Sequence, residues 1–252
     1  RSRNQLPKEA WDKLHVAAKR DDRVTELAFA IEGLAADRKL RTLHAGVVAE
    51  FMYQSSIFFG DVMGDDVGSQ SYLDRAMAAL PTHPGSLARF EEKLTQAGEF
   101  AKLGEFYFEL AQHRPRAEQA PVLRKAAEAF ERAQASERLA DTLTLLVRAE
   151  PKDEDARAKL EEALLQANRP RDVAKMLEQA LTSDPPPADD VAFAHRTKLL
   201  ALYEETSEVE RALPHVEWLL EHAPGHEGAK SIGIRLLEVK ACAQRAAAAL
   251  AA

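Results

Sequence analysis

An all-α fold is what this sequence predicts: amphipathic helices in antiparallel pairs, repeated along the chain and stacked side by side. Three observations lead there. Leu, Ala, Glu, Lys and Arg, all good helix formers, dominate the 252 residues, and the period-two alternation of strands is nearly absent. Proline recurs at Pro84, Pro115, Pro151, Pro185 and Pro224, each after an amphipathic run. Lacking an N–H, it ends one helix pair and orients the next. Counting back from the last four prolines, apolar residues fall into columns. Leu103, Leu139, Val173 and Ala212 form the first, Tyr107, Leu143, Leu177 and Val216 the second, and Leu110, Leu146, Ala180 and Leu219 the third.

The clearest unit runs from Leu160 to Pro185, where two short helices meet at Asn168-Arg169-Pro170. Leu160, Leu164, Val173, Leu177, Ala180 and Leu181 keep helical spacing on both sides of that turn. Upstream, a first helix opens at Trp11 and Leu14. A second follows Asp21-Asp22, expected as its cap, with Leu27, Ile31 and Leu34 facing inward. From Thr42 to Val62 only Glu50 and Asp61 carry formal charge, and large apolar residues lie all around. This predicts a long helix buried by neighbours on both sides. A membrane span needs roughly 20 predominantly apolar residues, and His44, Glu50, Gln54, Ser55 and Ser56 interrupt this one.

The Gly- and Asp-rich stretch from Gly60 to Ser69 is expected as a loop, with the paired helix from Tyr72 to Leu80. Later first helices carry Leu87, Phe90 and Leu94, then Leu123, Ala127 and Phe130, then Leu160 and Leu164, then Leu199, Leu200 and Tyr203. A further helix is expected to begin between Ile232 and Val239, followed by an Ala-rich end. With no initiating Met and that apolar end, the chain is expected to be a piece of a longer protein.

These pairs resemble the tetratricopeptide repeat, a helix-turn-helix unit of 34 residues. Trp11-Asp12-Lys13-Leu14 matches the family's Trp-x-x-Leu opening, and the three columns match a loosened Ala-x-x-x-Phe-x-x-Ala. About six degenerate units are covered, at approximately 8–41, 42–84, 85–115, 116–151, 152–185 and 186–224, with a partial unit at 225–252. Repeat lengths vary, Gly is mostly missing from the first crossing position, and another α-solenoid such as HEAT is the nearest competitor. The resemblance implies one right-handed α-solenoid binding another protein along the surface lined by first helices. On that surface it places Glu50, Tyr53, Ile57, Glu92, Gln96, Arg124, Glu128, Glu162, Glu204, Arg235 and Glu238, with Phe58 beside Tyr53 and Ile57. The Lys and Asn set with which chaperone-binding members clamp a terminal carboxylate is missing. Glu predominates instead, which favours a basic peptide or domain as partner; the competing reading is a set of solvated helix faces.

Charge and motif chemistry narrow the function. The balance of 34 basic and 41 acidic residues gives −7, with no basic stripe for nucleic acid. The single Cys242 forms no intrachain disulfide, and no secretory signal opens the chain at residues 1–5, so a reducing, cytoplasmic and bacterial setting is expected. His222, His226 and Glu227 flank an expected turn, and HExxH and CxxC are both absent. Asp21-Asp22-Arg23-Val24-Thr25-Glu26 puts Thr where a second metal-binding Asp is needed, and Gly60, Gly64 and Gly68 fit neither phosphate-loop pattern. The expectation is a non-catalytic scaffold or adaptor with no cofactor and no metal. Alternatives are a regulatory arm of a larger enzyme or of a secretion or motility machine, or a peripheral membrane module built on Val47 to Val62.

Overall fold

Among the described residues, one backbone device closes five of the seven helix pairs. In the computed structural model, which describes residues 8–251, Asp22, Gly98, Gln134, Asn168 and Ser207 take left-handed conformations with φ between 54° and 70°. At each, the next residue's N–H donates to the carbonyl five residues back: Arg23 to Ala18, Glu99 to Leu94, Ala135 to Phe130, Arg169 to Leu164 and Glu208 to Tyr203, at 2.8–3.0 Å. That bond satisfies a carbonyl the ending helix leaves open and turns the chain sharply enough for the second helix to lie antiparallel.

The pairs are α1 (Lys8–Arg20) with α2 (Val24–Ala36), α3 (Ala45–Ile57) with α4 (Asp66–Ala79), and α5 (Pro84–Gln96) with α6 (Phe100–Gln112). They are followed by α7 (Arg116–Arg132) with α8 (Ser136–Ala149), α9 (Glu154–Gln166) with α10 (Pro170–Leu181), α11 (Asp189–Glu205) with α12 (Leu213–His222), and α13 (Glu227–Leu236) with α14 (Ala243–Ala251). No strand occurs among the described residues, and the residues searched above for a secretory signal lie outside them. The chain divides into two compact units, one ending at His113 and one beginning at Arg114. In the second unit each helix packs on the next from α7 to α14, so the unit is an all-α stack of hairpins. Its interior is made of the repeated columns: Leu143, Leu177 and Val216 are buried, as are Val173 and Ala212.

Junctions between pairs use different chemistry. Asp153 caps α9 by accepting from Ala156 N–H at 3.0 Å, while His83 caps α5 and His226 caps α13 through Nδ1. Neighbouring pairs in the second unit are also joined by charge. Arg169 Nη1 meets Asp141 at 2.7 Å, Arg211 Nη2 meets Glu178 at 2.9 Å, and Arg245 meets Glu217 at 2.5 Å.

The first unit is built around Trp11, Ile31, Phe51, Met52, Phe58, Phe59 and Tyr72. Here the structure corrects four expectations. The Gly- and Asp-rich stretch is largely helical: α3 runs into a π-helical turn, Phe58–Val62, and α4 begins at Asp66, capped when Asp65 Oδ1 accepts from Gly68 N–H at 2.9 Å. The wider π turn moves the closing bond by one residue, so Asp65 N–H reaches Phe59 rather than a carbonyl five back. Gly60 and Gly68 are needed at this crossing, since a Cβ on Gly60 would sit 2.8 Å from Ser69 Oγ and one on Gly68 2.9 Å from Phe59. Asp21-Asp22 is no cap: Asp22 is the left-handed turn residue and Asp21 pairs with Arg20. The inward stripe of α2 is Ala28, Ile31 and Ala35, which leaves Leu34 56% exposed, one position off that face. Phe58 is fully buried against His15 and Phe59, so it cannot meet a partner or a lipid surface.

The turn residues set a test. Gly98→Ala forces a Cβ into the left-handed region and should cost about 1 kcal/mol, whereas Ser207→Gly removes that strain and should gain roughly 0.5–1 kcal/mol. Urea midpoints of the two variants should move in opposite directions.

Candidate functional site

A concavity of about 850 Å³ lies within the second unit between α7 and α9, with α8 as its floor. Ala127, Phe130, Leu139, Leu143, Leu146, Ala156 and Ala163 give it an apolar base. The three leucines of α8 belong to the repeated columns. Leu143 and Leu146 are buried beneath the groove and Leu139 is half-buried, so Leu139 supplies the apolar surface that α8 offers there.

The rim is charged and mostly acidic. Glu128, Glu131, Asp153, Asp155 and Glu162 line it against two cations, Arg124 and Lys159. Both cations are already engaged. Arg124 Nη2 donates to Glu150 at 2.5 Å and also to Asp153, contacts that push its pKa upward, Glu150 first. Asp153 is held below the usual carboxylate range by the Ala156 N–H it caps and then by Arg124. Lys159 Nζ lies 3.3 Å from Glu131. Glu128 and Glu162 each stand six residues ahead of their turn residue, so successive first helices place them alike. Gln166 Nε2 donates to Glu162 at 3.1 Å, as Gln96 does to Glu92 at the same position of α5.

Of the residues expected on a binding surface, the structure brings Arg124, Glu128 and Glu162 together in this groove. Glu204 and Arg235 meet each other in an ion pair between α11 and α13. Glu238 is exposed in the turn after α13, and Glu92 and Gln96 are exposed on α5. Glu50 turns inward, while Tyr53 is half-buried with its ring 5.5 Å from His83, and Ile57 is half-buried on α3. The segment from Val47 to Val62 is core rather than an exposed layer, since Ala49, Phe51, Met52, Phe58 and Phe59 are all buried. No helix of the described residues is long and apolar enough to cross a membrane.

Two buried polar networks escaped sequence reasoning because the contacts that join their parts span 19 to 33 residues. In the first unit Ser86 Oγ lies 2.8 Å from His83 Nδ1, and His83 Nε2 lies 2.9 Å from Glu50, which also accepts from Gln54 at 2.8 Å. Hydroxyl, imidazole and carboxylate are in sequence, yet Ser86 has no exposed surface and His83 Nδ1 also accepts from its backbone N–H. The arrangement therefore caps α5 and offers no accessible nucleophile. In the second unit Tyr203 O–H donates to Glu178, and Arg196 Nη1 donates to His215 Nδ1 at 3.1 Å while stacking on Trp218. His226 Nδ1 accepts from Ala229 N–H and Nε2 lies 3.1 Å from Thr197, while His222 stacks on Trp218. No group of three or more potential metal ligands occurs among the described residues.

The class this geometry defines is a helical-hairpin repeat protein with an open, acid-rimmed groove. Among solved structures, a chain in that of Naa15/Naa10 bound to HypK-THB aligns over 96% of this chain, at 15% identity and TM-score 0.45. This chain spans about 36% of the length of that one. No family model matches, nor does any curated protein.

His215 makes the second network sensitive to acid. Burial first, then Arg196, pushes its pKa down to about 4 from 6.5. The folded state thus binds fewer protons than the unfolded one between those values, so stability rises with pH there. The contribution is complete above about pH 6.5 and is lost as pH falls towards 4. It amounts to about 3 kcal/mol at roughly 1.4 kcal/mol per unit. His15 and His195, also lowered chiefly by burial, act in the same direction. Urea titrations across this range should show the loss, and His215→Gln should make it shallower.

Proposed function

We propose that this chain is a non-catalytic scaffold of the tetratricopeptide-repeat kind, binding a segment or domain of another protein in the groove between α7 and α9. The observation that carries this is the groove itself: open, about 850 Å³, apolar at its base and polar at its rim. Partner surfaces commonly combine these features, an apolar centre that excludes water and a polar rim that sets register. The repeat reading is supported by turn residues Gly98, Gln134, Asn168 and Ser207, which recur 36, 34 and 39 residues apart with the same closing bond. The shortest of these spacings equals the 34 residues of that repeat, and the others exceed it by a few residues. The lone Cys242, buried, suits a reducing compartment.

A photo-crosslinking residue at Gln134 or Gln166 tests this in cells that express the protein. Both positions line the groove. They should trap a discrete partner that the same residue at Glu118 or Glu137, exposed outside it, does not. Equal trapping from all four positions, or none, would remove the groove from the function.

A further inference from the structure

We propose that the occupant of the α7–α9 groove is a cationic amphipathic segment of a partner protein, its apolar side chains on the α8 floor and its Lys or Arg side chains on Glu128, Asp155 and Glu162. This rests on the reading of the groove as a binding surface. The charges decide the sign. Five carboxylates and two cations line the groove, and both cations are consumed internally, Arg124 by Glu150 and Asp153, Lys159 by Glu131. Glu128 and Asp155 make no ion pair within the described residues, and Glu162 is held only by the neutral amide of Gln166. An acidic segment would bring carboxylates towards carboxylates with no free cation to receive them. A cationic one finds acceptors already in place.

The placement also fixes how such a segment lies. Glu128 and Glu162 hold the same position on successive first helices, and the floor between them is the half-buried Leu139, with Leu143 buried beneath it. A segment reaching both carboxylates therefore crosses from α7 to α9 and presses its apolar side onto α8. Water leaves the floor as it docks, which strengthens the charge pairs at the edge. Exposed pairs contribute little individually, so binding needs the apolar contact and the charge together. Opposite fields also speed encounter, with an effect that salt screens.

The test uses the full chain and three labelled peptides of one length, with leucine at helical spacing and lysine, glutamate or serine at the remaining positions. Binding is read by fluorescence anisotropy, and its location by hydrogen exchange across α7 to α9. The lysine peptide should bind about tenfold tighter than the serine peptide, weaken as salt rises, and protect α7 to α9. The paired substitutions Glu128→Lys and Glu162→Lys should cost it about tenfold and favour the glutamate peptide, with circular dichroism unchanged. Glu118→Lys with Glu137→Lys makes the same change in net charge outside the groove and should leave binding as it was. If the two double variants weaken binding equally, only net charge is at work and the proposal falls. If the serine peptide protects the groove as tightly as the lysine one, the groove is a docking surface with a partner of other chemistry. If no peptide protects α7 to α9, the function proposed for the groove falls as well.

Discussion

Most of this fold hangs on a tight reversal of the backbone at the end of the first helix in five of the seven described pairs. A single residue with positive φ, followed by an N–H that reaches back five residues, returns the chain against itself at a fixed angle. Once five hairpins share that geometry, their apolar faces present themselves in the same way, and none of them can cover its face alone. Stacking follows from this, and so does the groove. Where α7 and α9 stand apart across α8, Leu139 of the first column stays half-buried while Leu143 and Leu146 beneath it are covered.

Most of the architecture was legible in the sequence because it is local. Apolar spacing gave the helices, proline gave the junctions, and the columns ending at Leu146 and Leu219 gave the interior. The closing turns were less visible, because only Gly98, Asn168 and Asp22 are residue types enriched at positive φ, while Gln134 and Ser207 are held there by context. The second pair was misread for a related reason. Glycine and aspartate ordinarily signal a loop, but Gly60 and Gly68 sit where two helices approach too closely for a side chain, and Asp65 caps a helix start.

The site was legible only in part. Helical position placed Arg124, Glu128 and Glu162 on one surface, since residues at matching repeat positions share a face. It could not show that Arg124 is tied down by Glu150 and Asp153, which depends on the bend between α8 and α9. Nor could it separate Glu50 from the others, because its inward turn is set by His83, a residue 33 positions later. Charge identity is in the sequence, while charge availability is a property of packing.

The acid–base pairs linking neighbouring hairpins carry one more consequence. Asp141 with Arg169, Glu178 with Arg211 and Glu217 with Arg245 place acid on the earlier hairpin and base on the later one, while Arg124 with Asp153 and Arg171 with Glu208 run the other way. Each junction therefore carries its own pattern of signs. A hairpin of nearly equal shape set in another's place would meet its neighbour without those partners, so charge as well as shape assigns each one its position.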